Sequence, residues 1–113
     1  MDKMATKLIR RLRLLYSKDI EDDYDLMDRD FETDDIVAEL LRRGNKVFYY
    51  TIKRVFPLSH STKNDRVTWE VILRSMGKDE GAVTLGEYWT EELARAIATD
   101  MNKSAAEIAM KNS

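Results

Sequence analysis

Cysteine is absent from the 113 residues, which rules out disulfides, thiol nucleophiles and thiolate metal sites. A lone histidine, His60, cannot supply a Cys/His zinc set. It sits between Ser59 and Ser61 in a polar connection, whereas a catalytic triad gathers its members in space rather than in a row. His60 therefore reads as an exposed loop residue. The four glycines, Gly44, Gly77, Gly81 and Gly86, form neither a P-loop nor a dinucleotide fingerprint. No apolar run approaches the roughly 18 residues that suggest a membrane span, and the first residues lack the apolar core of a secretion signal. A cytoplasmic location, no membrane span, no cofactor and no metal are the expectations.

Charge is plentiful but segregated. The formal net charge is only −2. Residues 1–18 carry six bases and one acid, whereas residues 19–35, DIEDDYDLMDRDFETDD, carry ten acids and the single base Arg29. Clustered acids need a solvated surface or a cationic neighbour, so this block bears on function more than on fold. Within it Ile20, Tyr24, Met27 and Phe31 are spaced 4, 3 and 4 apart, which places them on one narrow stripe of a helix turning about 100° per residue. The spacing predicts an amphipathic helix, started by Ser17 with Asp19 in its first turn, that docks on the body by this stripe and shows its acids to solvent. Six aspartates between 19 and 30 could oppose that helix by roughly 4 kcal/mol, at up to about 0.7 kcal/mol each.

The chain as a whole reads as a single α+β domain, 1–113, with a helical half, 1–44, and a β-hairpin plus C-terminal helix, 45–113. Residues 2–16 have the helical period, with Leu8, Ile9, Leu12, Leu15 and Tyr16 on one face and Leu14 stranded among bases. Thr33 reads as the N-cap of a separate helix that buries Ile36, Val37, Leu40 and Leu41 and stops at Gly44. KVFYYTIKRVF (46–56) and RVTWEVILRS (66–75) read as strands of an antiparallel hairpin or small three-stranded sheet, with a short third strand near 82–85. Thr90 caps a C-terminal helix whose stripe is Leu93, Ile97, Met101, Ala105 and Ile108, with a break expected near Asn102. That helix packs across one face of the sheet.

Three binding patterns can be weighed on residues. Asp28, Asp30, Glu32, Asp34 and Glu39 match calcium-loop positions 1, 3, 5, 7 and 12, but Thr33 replaces the turn glycine, so calcium is not expected. The segment EELARAIATDMNKSAAEIA (91–109) resembles a helix-turn-helix only loosely: it has no turn glycine and few bases. Lys7, Arg10, Arg11 and Arg13 on the first helix, with Tyr49, Lys53, Arg66 and Arg74 on a strand face, mix cations and a stacking ring as nucleic-acid binders do.

The favoured expectation is a non-enzymatic interaction protein. Its acidic helical surface, with Asp19, Asp22, Asp23, Asp25, Asp28, Asp30 and Glu32, would bind and even inhibit a basic groove on a partner protein. Carboxylates three or four residues apart stand about 5–6 Å from one another, so nucleic-acid mimicry is one form this binding could take. The alternative is a nucleic-acid-binding domain using Lys7, Arg10, Arg11, Arg13, Tyr49 and Lys53. A small structural or homo-oligomeric subunit is the third expectation.

Overall fold

A computed structural model describes residues 3–56 and 65–111, with side chains from Thr6 onward. The described elements run α1 (Lys3–Ser17), α2 (Asp23–Arg42), β1 (Lys46–Phe56), β2 (Arg66–Met76), β3 (Gly81–Tyr88) and α3 (Glu91–Lys111). The fold is α+β, as the sequence pattern predicts. His60 and most of the β1–β2 connection lie outside the described residues.

The three strands form one antiparallel sheet in the order β1-β2-β3. Tyr49 opposes Leu73, which in turn opposes Val83, so one face carries Val47, Tyr49, Val71, Leu73 and Val83. Ile72 pairs with Thr84 and Val71 with Gly86, which leaves Leu85 as the extra residue of a bulge. This face is buried against Ile9, Leu12 and Leu15 of α1, Ile36, Val37 and Leu40 of α2, and Ala94, Ala98 and Ala105 of α3. Small alanines let α3 lie close to β1 and β2, and they explain why the buried face of α3 is rotated from the predicted stripe. Leu93, expected inside, is 49% exposed. Ile97, Met101 and Ile108 pack against the core only at its margin.

At each outer margin of the sheet a helix side chain engages part of the strand backbone. The Tyr49 backbone N–H donates to Asn102 Oδ1 at 2.7 Å, and Asn102 Nδ2 donates to the Tyr49 carbonyl at 2.9 Å. One amide thus mimics a strand partner along β1. At β3, Arg13 Nη2 donates to the Ala82 carbonyl at 3.2 Å. Because Asn102 is used in this way, the expected break there is absent and α3 continues to Lys111. Thr90 does cap it, its Oγ1 accepting from the Leu93 N–H at 3.2 Å.

The largest departure concerns α2. The acidic helix and the helix expected to start at Thr33 are one element of 20 residues. Its cap is Asp22, whose carboxylate accepts from the Asp25 N–H at 2.9 Å, while Ser17 turns back to the Leu14 carbonyl. Thr33 is buried inside the helix and donates to the Arg29 carbonyl at 2.7 Å, the mid-helix use of a threonine hydroxyl. The calcium-loop register therefore falls wholly within a regular helix, with no loop to wrap an ion.

At its far end α2 closes as predicted. Gly44 adopts φ 92°, the Asn45 N–H reaches the Leu40 carbonyl at 3.1 Å, and the Gly44 N–H reaches that of Leu41 at 3.0 Å. These are the paired bonds of a Schellman motif. The Asn45 side chain then ties this end to the β2–β3 turn. Its Oδ1 accepts from the Asp79 N–H at 2.7 Å, and its Nδ2 donates to the Leu40 carbonyl at 3.0 Å and to Asp79 Oδ2 at 3.3 Å. Ser75 Oγ donates to the Asp79 carbonyl at 2.9 Å, and Arg43 reaches the Asp79 carboxylate at 3.4 Å. Asn45, Ser75 and Asp79 are all buried, so these bonds offset desolvation that would otherwise count against folding. Asn45→Ala should lower stability by about 2–3 kcal/mol by orphaning the Asp79 N–H, seen in urea unfolding as a lower midpoint at unchanged slope.

Candidate functional site

The acidic block stands out from the body. Every residue from Ser17 to Asp28 is exposed, and the first inward contacts of α2 come at Arg29, Thr33, Ile36, Val37 and Leu40. These lie on one stripe by their spacing of 4, 3, 1 and 3. Phe31 is two residues from both Arg29 and Thr33, about 200° of turn away. The stripe Tyr24, Met27 and Phe31 consequently points away from the protein's own core. Tyr24 is 78%, Met27 52% and Phe31 63% exposed. The expectation that this stripe docks the helix on the body is overturned, because the helix is continuous and its phase is set by the core residues of its second half. Ile20 and Leu26 are exposed as well.

Three contacts hold the middle of α2 against α1. The Arg29 guanidinium lies over the Tyr16 ring at 4.3 Å. Tyr16 Oη and Thr33 Oγ1 are 3.2 Å apart. Arg11 grips Glu32 through two donors, Nη2 to Oε2 at 3.0 Å. That hydrogen bond, more than the accompanying charge attraction, holds the Glu32 carboxyl below the usual glutamate range. Glu32 and Arg11 are therefore committed to each other, which removes one residue from each predicted binding set.

The other acids divide by position. Asp22 caps α2, and Asp25 also accepts from the Glu21 N–H at 3.3 Å. Asp19, Asp25 and Asp28 face a cavity of about 590 Å³ between the end of α1 and the start of α2, where Arg11, Lys18 and Arg29 also contribute. Asp23 and Asp30 are exposed.

The strand residues of the alternative cationic set do not share one face. Lys7, Arg10 and Arg13 are exposed on α1 and Lys53 on β1. Tyr49, expected outward as a stacking ring, is buried at 7% exposure. The register also separates the strand residues: Tyr49 and Lys53 pair with Leu73 and Trp69, whereas Arg74 and Arg66 pair with Phe48 and Phe56 of the other face. Cα partners in antiparallel strands share a face, so Tyr49 and Lys53 cannot join Arg66 and Arg74. Arg66 instead lies over the exposed Trp89 ring at 4.3 Å, a contact the sequence pattern gave no reason to expect.

Asp34, one turn past Asp30, has its carboxyl pushed up by partial burial and then by Asp30 and Asp35. The folded state therefore holds the Asp34 proton more tightly than the unfolded chain does. Ionised Asp34 costs stability as pH rises from the ordinary aspartate value of about 3.9 through its raised native value. Asp34→Asn should raise the urea midpoint at about pH 7 and lose that gain near pH 3. Glu32 has the opposite sign: its contribution is present above the ordinary glutamate value and fades as pH falls through its lowered one, so Arg11→Ala should shift its carboxyl titration upward in an NMR pH series. No protein-family model, curated protein or solved structure matches the chain.

Proposed function

We propose that this is a non-enzymatic interaction protein whose α2 arm inserts its outward stripe into a groove on a basic partner protein. The observation that carries this reading is the exposure of Tyr24, Met27 and Phe31 on the side of α2 turned away from the core. Scattered exposed apolar residues need no explanation, but a contiguous stripe bordered by charge is characteristic of an interaction surface. Anchors at i, i+3 and i+7 are the pattern read by helix-binding grooves. Two rings supply large rigid contact area, and methionine adapts to an irregular wall.

Charge selects among occupants of that stripe. A second copy of this chain would bring one block of ten acids and one base against another, which opposes self-association. A groove with an apolar floor and a basic rim matches both features at once. The rings along the outward stripe favour such a groove over one built for phosphates alone, so nucleic-acid mimicry describes only the flanks of the contact. Carboxylates on those flanks speed encounter and reject acidic partners, while the buried anchors govern residence.

Two variants separate the roles. Replacing Tyr24, Met27 and Phe31 together with serine leaves the net charge unchanged and should alter stability little, because these side chains are mostly solvated. Immobilised protein should then lose the basic proteins that the native chain retains from a lysate. Asp22→Asn, Asp25→Asn and Asp28→Asn together should weaken retention and flatten its salt dependence, with the cap function of position 22 preserved. Equal retention by native and triple-serine chains overturns the proposal. Salt-sensitive binding to immobilised nucleic acid that is lost on removing Lys7, Arg10 and Arg13 would favour the nucleic-acid reading instead.

A further inference from the structure

A second opening lies on the flank of the acidic arm, where α1, α2 and α3 meet over β1. It has a volume of about 240 Å³, and its lining residues include Asp30, Asp34, Asp100, Tyr16, Tyr49 and Ser104, whose side chains carry oxygen as their only polar atom. Thr33 and Met101 complete the lining, and no basic side chain contributes to it. Acids gathered at a surface are not a site on that account. The independent observation is Tyr49. It is only 7% exposed, its ring lines the opening, and its hydroxyl has no hydrogen-bond partner among the described residues. Both hydrogen bonds made by Tyr49 are through its backbone, to Asn102. The buried side-chain atoms left without a partner among the described residues are Arg29 Nε and Thr68 Oγ1, so the Tyr49 oxygen is not sealed but opens to the cleft, where an incoming donor can reach it. Its surroundings are electron-rich: burial first, then Tyr16 and Asp34, push its ionisation up, so it remains a neutral hydroxyl with an oxygen lone pair to offer.

We propose that this cleft binds an organic cation, an ammonium or guanidinium group on a flexible aliphatic chain, with Tyr49 Oη and the carboxylates of Asp34 and Asp100 as acceptors. Three carboxylates outnumber the one guanidinium nearby, that of Arg29 on the Tyr16 ring, so the cleft favours positive charge, and the hydroxyls add acceptors that a multi-donor cation can use. A bare metal ion is the poorer match, because no three acidic or histidine side chains among the described residues are close enough together to hold one. Met101 and the Tyr16 and Tyr49 rings offer apolar wall for an aliphatic stem. The same chemistry arrives either as a lysine or arginine side chain of a polypeptide or as a free polyamine. The cleft lies beside the outward stripe of α2 rather than on it, so the inference stands independently of the groove-binding reading.

The test is a two-dimensional NMR titration of the full chain with acetyl-lysine methylamide, acetyl-arginine methylamide and spermidine, each separately. Saturable shifts confined to Tyr49, Asp34, Asp100 and Ser104 are expected. The probe that saturates at the lowest concentration distinguishes a side-chain source from a polyamine. Tyr49→Phe should weaken binding roughly fivefold, the equivalent of about 1 kcal/mol for one lost hydrogen bond. Asp100→Asn, on an exposed helix position, should weaken it at least as much with the fold intact. Asp28→Asn should have no effect. Shifts spread without saturation over all acids of residues 19–35, or affinity unchanged from the native chain in Tyr49→Phe and in Asp100→Asn, would overturn the assignment. The Tyr24, Met27 and Phe31 serine variant retains cleft binding if the two proposals are separate, so failure of one leaves the other standing.

Discussion

Burial of Ile36, Val37 and Leu40 is the constraint on which the rest of the molecule depends. These three residues fix the rotation of α2 about its axis, and because the helix is unbroken they fix it over the whole 20 residues. The first half has no freedom to choose which face it turns inward. Arg29 and Thr33 come to face Tyr16 because they follow the buried stripe back toward the N-terminus, and Tyr24 and Phe31 face solvent for the same reason. The Asn45 clip anchors the other end against the β2–β3 turn. A rod is thus held along half its length, and the direction of its free half is set by residues buried in the core.

The electrostatics of the arm follow from its position on that rod. Aspartate is a poor helix former in mid-helix, but Asp22, Asp23 and Asp25 occupy the cap and first turn, where backbone N–H groups point outward and favour negative charge. The acidic block can be helical because it begins a helix instead of forming one of its own. The basic face of α1 neutralises only part of it: Arg11 is engaged by Glu32 and Arg13 by a sheet carbonyl. The arm therefore combines fixed direction, largely uncompensated negative charge and an apolar stripe, each arising from a different local cause.

Much of the architecture was legible in the sequence. β-Branched and aromatic content marked β1, alternation marked β2, Gly44 marked the end of α2, Thr90 marked the start of α3, and Leu14 was recognisably stranded. The errors cluster where one residue type serves two purposes. Thr33 followed by two aspartates has the signature of a helix start, yet its hydroxyl bonds back within the helix. Ser104 with Glu107 looks like a capping box that would restart a helix after Asn102, yet the helix runs through and the Asn102 amide serves the sheet edge. Ser17 looks like a cap, yet Asp22 takes that role. Joining the two predicted helices would have corrected the site as well, since the phase of Ile36, Val37 and Leu40 extended backward lands on Thr33 and Arg29 rather than on Phe31. The inward direction of Tyr49 was harder to read, because both faces of β1 carry large apolar residues and only the pairing of Tyr49 with Leu73 decides between them.

The partly engaged margins of the sheet have a consequence for how this molecule can meet others. A three-stranded sheet with bare borders is open to recruitment of a foreign strand or of its own copies, the route by which small β-containing chains polymerise. Asn102 occupies the outward main-chain groups of Tyr49 on one border, and Arg13 occupies a carbonyl on the other. Extension of the sheet at Tyr49 would first require prising α3 away from β1, which couples any such growth to partial unfolding of the core. Growth by main-chain zippering is thereby hindered at these two positions, and the exposed helical side chains remain the more accessible surface.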